Sequence, residues 1–381
     1  MRPLLVLLFA LAALLLAAPS TAAAAIALAD GHRFLGEELE EWEDTSASAT
    51  ASEALARGDF RRPASSRPNH GFTRSAFFYR FAVRNDTVER RAYVVDVARS
   101  WVTDVELYRV HGGVATLEAS AGERVPRAKR DVPSEPSAFA IDLAPGEERS
   151  YLIRLAGSAP ISLRGEISPR GAFFESHTRG VLLWGGFYGV ILGIALYSAI
   201  VFTVLGDAQW RLAPALLCVA LLEASAHGHL GRLLPVVVPE IQLRGCAFGM
   251  AAMVFAMCEW ARVVLRTRTT SPRVDRGLRV AAALGGALAL LGGLVLRWNA
   301  LTFVAPIGTT AALVVAGVAR WRAGHAPARP FLIAVGVYVI PGSFVCATIL
   351  GLLPLYSFTE DSHHVGAVIM AVLCSYRRPE A

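Results

Sequence analysis

From Gly180 to its end the chain carries 15 Lys and Arg and 8 Asp and Glu, so few that apolar stretches recur there. A helix needs about 20 apolar residues to cross a bilayer. The stretches fall at 181–205, 212–226, 246–265, 280–296, 300–319, 331–353 and 365–376. The second and seventh are short with polar ends, so hydropathy alone counts six or seven spans. A mean hydropathy of +0.45 excludes one soluble globule of this size.

Charge asymmetry decides between six and seven. Arg2, an apolar run over 4–18 and the small residues Ala22, Ala23 and Ala24 have the layout of a signal peptide, cleaved near Ala24. The following segment is then exported. With seven spans, Arg211, Arg262, Arg266, Arg268, Arg273, Arg276, Arg279, Arg320, Arg322, Arg329, Arg377 and Arg378 face the cytoplasm. Arg232, Arg244 and Arg297 face outward. Positive residues concentrate on the cytoplasmic side of membrane proteins, so the expectation is a seven-span membrane protein, N-terminus out and C-terminus in. No basic patch or motif points to nucleic acid, and no cofactor is called for. The surrounding partner is the lipid bilayer.

Before Gly180 the pattern changes to short strands separated by turns. Residues 77–83, 93–97 and 102–110 alternate with period two. His111, Gly112 and Gly113 make a hairpin turn into 114–117. Residues 138–143 are expected to pair with 151–155 across the turn at 144–147, and 41–70 reads as loop. This predicts a multi-domain membrane protein: an antiparallel β-sandwich followed by an all-α seven-helix transmembrane bundle. The expected boundaries are 1–24 signal peptide, 25–170 sandwich, 171–180 linker, 181–376 bundle and 377–381 cytoplasmic tail. The five cysteines, Cys218, Cys246, Cys258, Cys346 and Cys374, all lie in or beside apolar spans, so no disulfide braces the exported part. Gly285, Gly286, Gly292 and Gly293 are expected to let helices approach closely.

Several motifs in order resemble one family. They include Asn69-His70-Gly71, Tyr79-Arg80-Phe81-Ala82-Val83-Arg84-Asn85, Val105-Glu106-Leu107-Tyr108 and Gly122-Glu123-Arg124-Val125-Pro126 with Arg130. Leu143-Ala144-Pro145-Gly146-Glu147 follows. The apolar half adds Phe187-Tyr188-Gly189-Val190, Glu259-Trp260-Ala261-Arg262, Arg329-Pro330-Phe331 and Gly351-Leu352-Leu353-Pro354. Together they resemble the bacterial receptors with seven transmembrane helices and diverse intracellular signalling modules (7TMR-DISM). The resemblance implies a place in the bacterial inner membrane and a jelly-roll-like periplasmic sensor domain akin to carbohydrate-binding modules. Relatives commonly continue into an output module after the last helix, whereas this sequence stops at Ala381, which implies a separate cytoplasmic signalling protein as partner.

Two groups of residues are candidate sites. Tyr93, Trp101, Arg124 and Arg130 offer the stacking faces and donors that a carbohydrate or another extracytoplasmic small molecule requires. Glu223, His227 and His229 end the second span on the side where Asp361, His363 and His364 begin the seventh. Such a group suits metal binding or proton sensing, and the sequence leaves open whether the two helices meet. Glu223 is the intramembrane acid most expected to function, with His227 or Arg244 as its partner. Glu259 is expected to pair with Arg262. The leading expectation is a transmembrane sensor. A membrane metal-dependent hydrolase using Ser225 with the same cluster, and an accessory scaffold of an envelope complex, are the alternatives.

Overall fold

The computed structural model describes residues 25–29, 31–36, 38–57, 59–205, 212–230, 239–295, 299–354 and 356–375. The expected signal peptide, and Arg211, Arg232, Arg297, Arg377 and Arg378, lie outside the described residues.

Two sheets form the N-terminal sandwich. In the larger, β5 (Ala76–Asn85) pairs with β10 (Glu148–Ala156), which leads to β7 (Asp104–His111) and β8 (Val114–Ala121). The other edge of β5 is shared by β1 (Ile26–Leu28), in parallel, and β3 (Glu40–Asp44). The smaller sheet runs β2 (Arg33–Phe34), β12 (Glu166–Pro169), β6 (Arg91–Ala98), β9 (Ser137–Leu143). A short ribbon of β4 (Asn69–Gly71) and β11 (Ile161–Ser162) stands apart from both. Between the sheets, Tyr79, Phe81, Leu107, Tyr151 and Ile153 meet Tyr93, Val95, Phe139, Ile141 and Ile167, all buried. Burying each such side chain contributes about 1.5–3 kcal/mol, so the domain needs no covalent staple.

The structure corrects three expectations. First, β9 and β10 do not form a hairpin. β9 pairs with β6 in the smaller sheet, and β10 pairs with β5 and β7 in the larger. The 144–147 turn therefore crosses between sheets. Asn85 holds it there, donating Nδ2 to the Leu143 carbonyl at 2.9 Å and its backbone N–H to Glu147 at 3.0 Å. Period-two alternation identifies strands but does not name their partners.

Second, 41–70 is not all loop. It contains β3 and helix α1 (Ala51–Arg57), which opens with a capping box between Thr50 and Glu53. Ala51 and Ala54 of α1 join Trp42, Phe78 and Leu152 in a second core on the outer face of the larger sheet. This is why β5 is buried on both faces instead of alternating.

Third, 171–180 is no linker. Helix α2 (Arg170–Leu205) begins one residue after β12 and is 36 residues long, about 54 Å at 1.5 Å per residue. That exceeds the apolar thickness of a bilayer, about 30 Å. Its first turns instead lie on the sandwich: Phe173 packs with Val94, Val132 and Ala138, and His177 Nε2 stands 3.0 Å from Glu135.

The remaining helices longer than five residues are α3 (Leu212–Ala226), α4 (Pro239–Val264), α5 (Pro272–Leu290), α6 (Asn299–Arg322), α7 (Ala328–Ile349) and α8 (Ser357–Ser375). Among the described residues five helices are long and apolar enough to cross a membrane, and Ala213–Ala226 and Ser362–Leu373 are shorter apolar helices. These are the second and seventh stretches, the two shortest in sequence. Gly285, Gly292 and Gly293 lie so close to Thr309, Thr302 and Ala247 that a Cβ at any of them would clash, at 2.8, 2.9 and 2.4 Å. Close packing is thus what these glycines permit. At the end of the bundle away from the sandwich, Arg262 bridges Glu259 and Asp275, and Arg320 donates to the Leu265 carbonyl at 3.0 Å.

Candidate functional site at the junction of sandwich and bundle

The sandwich is bonded directly to the bundle. Asn69 Nδ2 donates to the carbonyls of Thr348 (2.7 Å), in the last turn of α7, and Leu353 (2.8 Å), beyond its end. Ser100 Oγ donates to the Ala226 carbonyl at 3.4 Å, at the end of α3. The Trp101 ring meets His227 edge-on, with centroids 5.9 Å apart, and Phe72 packs on Phe303.

Beneath this seam the structure brings together the two polar helix ends. The Glu223 carboxylate is buried, with His363 Nε2 3.1 Å from Oε1 and His364 Nε2 3.1 Å from Oε2. His227 Nδ1 lies 3.4 Å from Oε2, one helical turn along α3. Trp184 of α2 stands among the rings of His227, His229 and His364, at 4.4, 4.6 and 4.4 Å. His229 turns instead to the Tyr188 hydroxyl, 2.8 Å from its Nδ1. The side chain of Asp361 lies outside the described residues. Arg244, the other expected partner of Glu223, is exposed. Ser225 donates its hydroxyl back to the Leu221 carbonyl at 2.8 Å and is fully buried.

A cavity of about 490 Å³ opens beside the cluster, a size typical of small-molecule sites. Its body is apolar, with Met250, Met253, Phe303, Ile307 and Val339 among its walls. Its polar end is formed by Glu123 and Trp101 from the sandwich and Glu223, His227 and His363 from the bundle. The Trp101 indole N–H is buried and meets no acceptor among the described residues. Burial pushes the Glu123 carboxyl up to about 7; Arg124 opposes this and Asp104 reinforces it.

The four expected ligand contacts of the sandwich are not brought together. Tyr93 is a core residue, 1 % exposed, with its hydroxyl on Asn85 Oδ1. Arg130 grips four backbone carbonyls, those of Gly122, Val125, Ser134 and Glu135. Arg124 is exposed and paired with Asp104 at 3.0 Å. Of the four, Trp101 lines the cavity. Sequence reading passed over Glu123 in favour of its neighbours Arg124 and Arg130, because a cation looks like the better donor. The positive φ of Gly122, +99°, precedes the residue that enters the cavity.

Two family profiles match the chain. One, described as 7TM diverse intracellular signalling, covers residues 180–376, and the other, 7TMR-DISM extracellular 2, covers 36–168. No curated protein matches.

Proposed function

The chain belongs to the 7TMR-DISM family of transmembrane receptors with an extracellular sensor domain, and from that premise we propose that it senses a small amphipathic molecule bound between sandwich and bundle. The observation that carries this reading is the cavity at the seam, with walls contributed by both parts. A molecule seated there touches Trp101 and Glu123 above and α3, α4, α6 and α7 below. Its binding energy therefore depends on how the sandwich sits on the helices, and it shifts whatever arrangement fits it best. An apolar body suits Met250, Phe303 and Ile307, and a polar head suits the Glu123, Glu223 and His227 end. This favours an amphipathic ligand over a free sugar.

In this reading the sandwich is periplasmic, residues 1–24 are its export signal, and the opposite end of the bundle is cytoplasmic, following the positive-inside rule. Arg268, Arg273, Arg276, Arg279, Arg322 and Arg329 are exposed there. They suit an acidic face on a separate cytoplasmic signalling protein.

The test is a thermal-shift screen of the full chain in nanodiscs against small amphipathic amines, acids and alcohols. Binders are expected to stabilise the wild type and to lose their effect in Ile307→Trp, which fills the cavity. Binders whose effect persists in Ile307→Trp, or a screen in which only polar sugars bind, would overturn the proposal.

A further inference from the structure

We propose that Glu223, His227 and His364 bind one divalent transition-metal ion of the zinc or cobalt class, which ties α3 to α8. The inference rests on the geometry of three donors and does not depend on the receptor reading, since uptake of an ion is measured without any signalling output.

The donors are one Oε of Glu223, one ring nitrogen of His227 and one of His364, all within 4.8 Å of one another. Zinc binds imidazole and carboxylate at about 2.0–2.2 Å, so two ligands of a tetrahedral ion stand about 3.3 Å apart. Around Glu223 Oε2 the separations are 3.4 Å to His227 Nδ1 and 3.1 Å to His364 Nε2. Two of the three separations thus lie near the edges of such a polyhedron and the third is within 4.8 Å; an ion would take the place of the contact that His227 Nδ1 makes with the Glu223 backbone carbonyl at 3.2 Å. Two imidazoles with one carboxylate favour zinc, cobalt or nickel over magnesium or calcium, which prefer oxygen.

The surroundings suit the same ion. His363 Nε2 approaches the other carboxylate oxygen at 3.1 Å. It serves as an outer partner that orients the carboxylate, or as the fourth ligand. The cavity reaches Glu223 and His227 directly, giving an ion a route in and an open coordination position. Glu223 is 6 % exposed. A buried carboxylate requires compensating positive charge, and a divalent ion supplies it while the rings stay neutral. Glu223 lies in the last turn of α3, His227 follows the helix directly at i+4, and His364 lies just over two turns into α8. An ion shared between them would fix the ring that Trp101 of the sandwich touches.

Full-length protein in detergent is stripped with a chelator and titrated with Co²⁺, whose tetrahedral complexes absorb strongly in the visible. The expected result is that absorption, saturating at one ion per chain and displaced by Zn²⁺. Glu223→Gln and His364→Ala are each expected to weaken binding by about 100-fold, while His229→Ala leaves it unchanged. His364→Cys keeps a donor in place and is expected to add a sulfur-to-cobalt charge-transfer band, which arises only if residue 364 is a ligand. No saturable uptake by the wild type would overturn the proposal. So would a His364→Cys protein that binds Co²⁺ with the wild-type spectrum.

Discussion

The side-chain amide of Asn69, on a three-residue strand of the sandwich, donates to the Thr348 carbonyl at the end of helix α7 over 2.7 Å. The same amide reaches the Leu353 carbonyl at 2.8 Å. One planar group thus supplies both of its hydrogens across the seam, one to a carbonyl in the last turn of α7, which also accepts the Gly351 N–H at 3.0 Å, and one to a carbonyl past the end of that helix. Replacing it by Ala takes the amide from the Leu353 carbonyl and leaves the Thr348 carbonyl only the bonds of its own helix end, such as that from the Gly351 N–H, at a cost of about 1–3 kcal/mol for an acceptor left buried without a partner. Asn69→Asp is expected to be worse, because a carboxylate would then face two carbonyl oxygens. The check is disulfide formation in Ser100→Cys/Ala226→Cys protein, which reports how closely the sandwich sits on α3. Efficiency should fall in the order Asn69, Asn69→Ala, Asn69→Asp.

Two residues along the same strand, Gly71 meets the bundle backbone to backbone. Its φ is +59°, and a Cβ there would lie 2.7 Å from both the carbonyl carbon and oxygen of Leu350. Gly351 faces it with φ +78° and a Cβ position 3.0 Å from the Gly71 nitrogen. No flexible side chain is present to give way. Gly71→Ala incurs about 1–2 kcal/mol for the left-handed backbone alone, and the clash adds to it. The seam between strand β4 and the α7–α8 connection is expected to open. Hydrogen exchange at the amides of Leu350, Gly351 and Leu352 should rise by an order of magnitude or more while exchange in the β5–β10 core stays unchanged.

Glu123 makes the seam sensitive to pH. Its carboxyl titrates at about 7 in the folded protein because it is buried, against about 4.3 in an unfolded chain. Between these values the folded state holds a proton that the unfolded state has released. Stability therefore falls as pH rises from about 4.5 to 7, by at most about 3 kcal/mol from this group. Above that window the loss is complete. Glu123→Gln, which stays neutral throughout, should flatten this part of the profile and leave the protein more stable than wild type at neutral pH. The melting temperature of both proteins across the range checks it; parallel profiles would count against the assignment.

Much of the architecture was legible because two physical periods carry it. Apolar lengths and the placement of arginines distinguish helices that cross a bilayer from strands that pack in a sandwich. What period alone does not encode is partnership. Nothing local in 138–143 and 151–155 says that they belong to opposite sheets; the decision is made by Asn85, more than 50 residues before Leu143. The same limit applied to the candidate site. Glu223, His227, His363 and His364 were recognisable as polar residues at two helix ends, yet their convergence depends on α3 and α8 meeting beside Trp184. Tyr93 and Trp101 look alike in sequence, an aromatic in or near a strand. Only the sheet's orientation sends one into the core and the other to the seam.

The two arginines once equivalent as ligand donors now separate by burial. Arg130 is partly buried and holds the 122–135 loop by bonds to four carbonyls, including Gly122 at 2.8 Å and Val125 at 3.0 Å. Glu123, next to Gly122 in this loop, lines the cavity, so the clamp fixes one wall of it. Bonds from a charged donor are worth about 1.5–3 kcal/mol each when partly buried, though their effects do not add. Arg130→Ala is expected to lower stability by about 3 kcal/mol or more and to raise protease sensitivity between 122 and 135. Arg124 makes an exposed pair with Asp104, and exposed pairs contribute under about 1 kcal/mol. Arg124→Ala should leave the melting temperature within about 2 °C of wild type. If the two substitutions proved equally mild, the loop would not depend on the clamp, and the position of Glu123 at the cavity would need another support.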